Sequence, residues 1–300
     1  MSGNDFRELG RFKLATWAAL TLGYFDRQLP RIVLARTMGP AAVGLYSLAM
    51  RLQEFVVGIL VVPAYQVVHA GVSRDQAHRD RVARVALGAM QLAAALTAPV
   101  FLGLAALAPV LVPALFGPEW VEAVASVQVL MVLATRSPVT IVQTAVIRGL
   151  GKAHWHLGLA GLGAMSMFAL ILLAVPYGVT AVAAAAGLRA MILFPISAWL
   201  VRRLTGLGVG AQAAAGAGAL MAAATMALSV WALLAWLAGV ASDGMAIAGA
   251  IGAGIILYPI LLRMTSPSSR PLLDRVLGAI GRRDLPALRR ALGDVGTASN

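Results

Sequence analysis

Long apolar stretches dominate the chain, and they leave it few folds. A helix needs ~20 largely apolar residues to cross the hydrocarbon core of a bilayer. Stretches of that kind run over 12–37, 41–70, 84–112, 121–147, 154–175, 178–200, 212–239 and 245–262. In lipid every backbone N–H and C=O must be satisfied within the protein, so runs of this length fold as helices. Only 12% of the residues are charged and 60% are hydrophobic, whereas a soluble domain carries about 25% charge. The expected class is an all-α integral membrane protein with about eight transmembrane helices.

The net charge of +12 raises nucleic-acid binding, but the positions of the basic residues decide against it. Arg7, Arg11 and Lys13 precede the first span; Arg74, Arg79, Arg81 and Arg84 follow the second; Arg148 and Lys152 follow the fourth; Arg202 and Arg203 follow the sixth. The intervening ends hold Arg36 with Glu119, Glu122 and Asp243. Every second loop is basic, which places those loops and both termini in the cytoplasm. The basic excess is topology, and no nucleic-acid partner is expected. With no cysteine, disulfides and thiolate metal sites are excluded. Residues 1–5 show no cleavable signal peptide, so the first apolar segment directs insertion itself.

The informative residues are the charges inside the spans. Asp26, Arg27 and Arg31 lie in the first, Arg51 and Glu54 in the second, Arg136 in the fourth and Arg189 in the sixth. A charge at bilayer depth costs at least ~2.5 kcal/mol and normally faces a protein interior or a wet cavity. Arg27 and Arg31 share a helical face, and Arg51 can pair with Glu54 three residues on. Arginine suits phosphate and carboxylate because its planar fork gives two parallel hydrogen bonds. The surplus of arginine over acid therefore points to an anionic cargo held by Arg27, Arg31, Arg51, Arg136 and Arg189. Asp26 and Glu54 serve as ion-pair or coupling groups. The competing reading is structural: the two acids cross-link helices through two of the arginines. Arg189 is either a cavity residue or a long side chain snorkelling from mid-helix.

Local signals refine the spans. Pro113 and the Gly117, Pro118 pair should end the third, with Trp120 at the headgroup level. Ser137 and Pro138 beside Arg136 predict a kink lining the cavity, with Gln143 on a similar face. The segment Arg148 to Lys152 resembles part of a phosphate loop but lacks its spacing and its strand, so no nucleotide site is assigned. His154 and His156 point in different directions on a helix and have no acid nearby, which makes them interfacial; no metal or cofactor is expected. Glycines 158, 161, 163, 216, 218, 249, 252 and 254 suit close helix packing in lipid. Beyond 262, leucines at helical spacing alternate with Arg275, Arg282, Arg283, Arg289 and Arg290, the pattern of a basic amphipathic helix on the inner leaflet.

Asp26, then Thr37, Met38 and Gly39, then Ala42, Gly44, Leu45, Tyr46 and Ala49 resemble the first helix pair of the second lobe in lipid-linked polysaccharide flippases. These belong to the multidrug/oligosaccharidyl-lipid/polysaccharide exporter superfamily. Leu115, Phe116, Gly117 and Trp120 are similar to that family's turn after the lobe's third helix, and Gly149 to Lys152 to its loop after the fourth. Together these cover about residues 6–200. The resemblance implies a second-lobe six-helix bundle over 1–200, two additional helices over 201–262 and a cytoplasmic tail over 263–300. It implies translocation of an undecaprenyl-pyrophosphate-linked oligosaccharide across the bacterial inner membrane by alternating access. Partners would be membrane lipids and the lipid-linked anionic oligosaccharide, with a missing N-terminal lobe or second subunit, since alternating access needs two repeats. The alternatives are a non-transporting scaffold and a membrane glycosyltransferase or polymerase. An enzyme would want acid–base groups in a sizeable outer loop, where only Glu119 and Glu122 stand.

Overall fold

The computed structural model describes residues 3–74, 78–237 and 242–265. Among them there is no strand. The chain runs as α1 (Gly3–Thr37), α2 (Gly39–Leu60), α3 (Val62–Arg74), α4 (Arg79–Phe116), α5 (Ala123–Ala134), α6 (Ser137–Gly149), α7 (Ala153–Ala174), α8 (Val179–Thr205), α9 (Val209–Ala214), α10 (Ala217–Leu237) and α11 (Asp243–Thr265). Six of the described segments are long and apolar enough to cross a membrane, and the bent pair α5–α6 makes a seventh. α1 is long enough to be the eighth, although Asp26, Arg27 and Arg31 interrupt its apolar run. The protein is an all-α integral membrane protein. The amphipathic segment read beyond residue 265 lies outside the described residues.

α4 is the axis of the molecule. Phe101 and Ala105 pack with Leu34, Tyr46, Met131 and Val182, joining α4 to α1, α2, α5 and α8. Met90 and Ala93 pack with Val72, Val146 and Val201 from α3, α6 and α8. Ala98 and Leu107 pack with Ala222, Met226 and Leu262, so α10 and α11 clasp the remaining side.

α4 spans 38 residues and contains Pro99, Pro109 and Pro113. A proline in a helix leaves the carbonyl four residues earlier without its N–H partner, and in lipid that acceptor must be met by the protein. Two of these are met from other helices. Tyr258 of α11 donates its hydroxyl to Ala95 O at 2.6 Å, and Gln128 of α5 donates Nε2 to Ala105 O at 3.1 Å. Ala95 and Ala105 are the residues four before Pro99 and Pro109. Each proline thus creates a docking point for a neighbouring helix.

Several boundaries differ from those read in the sequence. The third span continues through Pro113, because the ladder resumes when Gly117 N–H donates to Pro113 O at 3.0 Å. Gly117, at φ 105°, ends the helix. The second span is not one helix: it breaks at Val61, two residues before Pro63, which has no N–H with which to continue the ladder. The seventh is split into α9 and α10 around Gly216, at φ 89°. The kink expected at Arg136 is present, with α5 and α6 bent by 47°. Of the glycines assigned to packing, 158, 161, 249 and 252 have no atom within 4 Å of where a Cβ would stand. Gly216 abuts Ala94, Gly163 abuts Arg189 and Leu193, and Gly254 meets Met226. A tight approach not anticipated from sequence is Gly187 of α8 against Leu133.

Candidate functional site

α1 and α8 are remote in sequence and carry opposite charges at one depth. The Asp26 carboxylate on α1 pairs with the Arg189 guanidinium on α8. Their side chains are 8% and 30% exposed. Taking both charges out of water is expensive and is offset only when geometry and further hydrogen bonds are good. Here the satisfaction is incomplete. Asp26 Oδ1 and Arg189 Nε are buried with no hydrogen-bond partner. Pro30 also sits inside α1, four residues after Asp26, so the ladder partner of the Asp26 carbonyl is missing as well.

The pair opens onto a cavity of about 320 Å³ between α1, α6, α7 and α8. Its charged wall is Asp26, Arg27, Arg148 and Arg189; Thr140, Thr144 and Ser197 add hydroxyls, and His156 an imidazole. Apolar lining comes from Leu20, Leu159 and Leu193. Gly163 on α7 admits Arg189: a Cβ there would lie 3.3 Å from Nη1 and 3.3 Å from Leu193 Cδ1. His156 Nδ1 is buried without a partner. No group of three or more His, Cys, Asp or Glu with metal-binding proximity occurs among the described residues.

The residues singled out from sequence divide in two. Asp26, Arg27 and Arg189 meet at the cavity, and Arg189 is a cavity residue rather than a snorkelling one. Arg31 is half-buried one turn further on, with Nη1 3.4 Å from Gln28 Oε1 and Nε unpartnered. Arg51 and Glu54 are exposed on α2 and form no ion pair with each other. The cross-linking reading therefore holds for Asp26 and not for Glu54.

Arg136 does not line this cavity. It stands at the α5–α6 kink, donates Nη1 to Ala213 O at 3.0 Å and lies over the Phe194 ring at 5.3 Å. Ala213 O is an end-of-helix acceptor of α9, so Arg136 ties a broken segment to the bundle. Gln143 belongs to a neighbouring buried network. Ser197 donates to Gln143 Oε1 at 2.6 Å, Gln143 donates to Gln212 Oε1 at 3.0 Å, and Gln212 donates to Ala198 O and Leu207 O.

Sequence reasoning used Arg148 for topology and rejected a phosphate loop beginning at it, and it set His156 aside as interfacial. They lie eight positions apart across a turn in which Gly151 has φ 72°, and both reach the cavity. No local pattern marked them, because α1 and α8 complete the wall from elsewhere in the chain. Lys152, four residues after Arg148, is exposed.

The first 125 residues match the family model described as polysaccharide biosynthesis protein. Comparison with curated proteins gives no match. Among solved structures, the fold is similar to that of the lipid II flippase MurJ in an inward closed conformation, with a TM-score of 0.65 and 13% identity. The match covers 89% of this chain and 53% of the flippase, so the chain spans about half the length of that structure. The resemblance drawn from the sequence is upheld: this is a helical membrane protein whose fold is similar to that of the lipid II flippase and whose residues 1–125 match the polysaccharide biosynthesis model.

Proposed function

We propose that the chain is one half of a transporter that moves a lipid-linked anionic oligosaccharide from the inner to the outer leaflet of a bacterial inner membrane. In this reading residues 1–200 are the second lobe, 201–262 add two helices, and 263–300 lie on the cytoplasmic face with the N-terminus. A further lobe or a second subunit supplies the rest of the cavity wall, and the two halves alternate in access. The observation that carries it is the cavity itself: Arg27 and Arg189 within the spans, with Arg148 at the end of α6, against one carboxylate, in a fold similar to a flippase. An interior with that balance favours anions, and guanidinium is the group best suited to phosphate.

Arg27 and Arg189 are assigned to cargo contact in this cavity. Arg31 and Arg51 are assigned to its extension along α1 and α2, where exposed charge within a span must meet water or a second lobe. Arg136 remains in the set as the residue that fixes the kinked helix beside the cavity. Asp26 is assigned as the ion-pair group and Glu54 as a coupling group. The likeness to a flippase favours a transporter over an enzyme. Depleting the protein from its host and measuring lipid-linked oligosaccharide tests the reading. Accumulation of the lipid-linked form with loss of surface polysaccharide is expected; unchanged levels of both would overturn it.

A further inference from the structure

Outside the cavity, the short helix α9 is held by side chains from two of the cavity's walls, α6 and α8. Gln212 of α9 is fully buried and donates Nε2 to Ala198 O at 3.0 Å and to Leu207 O at 2.9 Å. An amide nitrogen has two hydrogens, so both are spent. Only Oε1 of Gln212 is left to face Gln143, and the buried Gln143 must donate its Nε2 there, at 3.0 Å. Gln143 Oε1 is then an acceptor, met by the Ser197 hydroxyl at 2.6 Å. Each step forces the next, because turning either amide over would set oxygen against oxygen. Ser197 alone has a second choice: Leu193 O and Phe194 O of its own helix stand 3.1 and 3.0 Å from its oxygen. Next to Gln212, Ala213 O takes Arg136 Nη1 from the α5–α6 kink. Beyond it Gly216, at φ 89°, turns the chain into α10 against Ala94.

We infer that α9 is a latch on the cavity: Ser197, Gln143 and Gln212 clasp α8 to α6 and keep that wall shut, and the clasp opens as a unit about the joint at Gly216. The relay has one hydrogen-bond polarity, so it is made or broken whole. Loss of any member strands a buried amide, and an unmet polar group away from water is costly. The way out is built in at Ser197, which lines the cavity. Its hydroxyl swings back to the Leu193 or Phe194 carbonyl without losing a hydrogen bond. Gln143 then loses its donor on the side where Thr140 and Thr144 already bring polar surface to the cavity. Ser197 thus has two discrete, satisfied arrangements, the property that a switching contact between packed helices needs. Arg136 tethers α9 to the kink by a bond outside the relay. Past Gly216 the chain continues as α10, whose Ala222 and Met226 pack on Ala98 and Leu107 of α4. The clasp therefore joins the width of the cavity to the two added helices. It concerns access and not cargo, so it does not rest on the flippase reading.

The chain contains no cysteine, so a single introduced one reports access to the cavity. Thr144→Cys places it on the α6 wall, and Glu119→Cys on the exposed Pro118–Trp120 turn is the control. The full chain in nanodiscs, with both faces of the bilayer reachable, is labelled with a water-soluble maleimide. Adding Gln212→Leu should speed labelling at 144 by about threefold or more, the worth of one interhelical hydrogen bond, and leave the rate at 119 unchanged. Gln143→Leu, alone or together with Gln212→Leu, should give that same acceleration, because members of one relay do not act independently. Where Gln212→Leu does not insert stably, Ser197→Ala decides the question; it removes only the first donor and should speed labelling likewise. Unchanged labelling at 144 in the relay variants would overturn the latch, and so would accelerations that multiply in the double variant. Faster labelling at 119 as well would mean general loosening of the bundle and would overturn it too. None of these outcomes touches the transport reading, which is read from glycan levels.

Discussion

Asp26 and Arg189, 163 positions apart, form the ion pair that joins the first helix of the bundle to the last helix of its first eight. The acid is the more deeply buried partner, and its second oxygen has no donor. Removing Arg189 therefore leaves a buried carboxylate without its partner, whereas removing Asp26 leaves a less buried cation that lines the cavity. Arg189→Ala should cost about 3 kcal/mol and Asp26→Ala clearly less. The double variant Asp26→Leu with Arg189→Leu should recover part of the loss. Thermal melts in detergent measure all three, and equal losses for the two single variants would contradict this assignment.

The prolines of α4 give a second expectation. Tyr258→Phe and Gln128→Leu each remove the donor to a carbonyl that a proline leaves free. Interhelical hydrogen bonds in membranes are worth about 1 kcal/mol, and each variant should lose about that much. Pairing Tyr258→Phe with Pro99→Ala should erase the loss, because an N–H at 99 would satisfy Ala95 O again. A cycle of single and double variants reads this directly, and additive losses would count against it.

Glycine substitutions should separate close approach from simple permissiveness. Gly187→Ala meets Leu133, and Gly216→Ala meets Ala94 at a left-handed φ; each should destabilise by about 1–3 kcal/mol. Gly158→Ala and Gly249→Ala face open space and should be neutral in the same melts. Gly163→Ala meets Arg189 and Leu193, so it should disturb the Asp26–Arg189 pair and depress export of the lipid-linked oligosaccharide more than stability.

Exposed Glu119 and Glu122 lie at and just after the Pro118–Trp120 turn. If the chain were a glycosyltransferase or polymerase, an acid there would do the chemistry. Glu119→Gln with Glu122→Gln should instead leave polysaccharide output within about twofold of normal, and collapse of output in that variant would favour the enzyme.

Membrane class, approximate span positions and the kink at Arg136 were all legible, because length, hydropathy and a Ser–Pro step act locally. The break at Val61 had a signal in Pro63, masked by an apolar run on both sides. The end of α4 at Gly117 was legible in the Gly117, Pro118 pair, whereas Pro113 looks like a stop and is not one, because a helix in lipid keeps its ladder wherever it can. The site was half legible. Charge at bilayer depth drew attention to Asp26, Arg27 and Arg189, but five arginines were candidate partners for Asp26 and only tertiary packing selects one. Arg136 looked like cavity lining and is instead spent on Ala213 O and Phe194. Arg148 and His156 look like ordinary loop-end residues until α1 and α8 close around them.

The most direct measurement is the leaflet distribution of lipid-linked oligosaccharide in cells supplied with the wild-type chain or with Arg27→Glu. Arg27 is exposed on its helix, its only hydrogen bond among the described residues being local, from Nε to Gly23 O, so the variant should insert normally. An impermeant probe of the outer leaflet should find at least about tenfold less glycan with Arg27→Glu, at equal protein level. Equal outer-leaflet glycan in the two strains would contradict the assignment of this arginine-lined cavity to an anionic lipid-linked cargo.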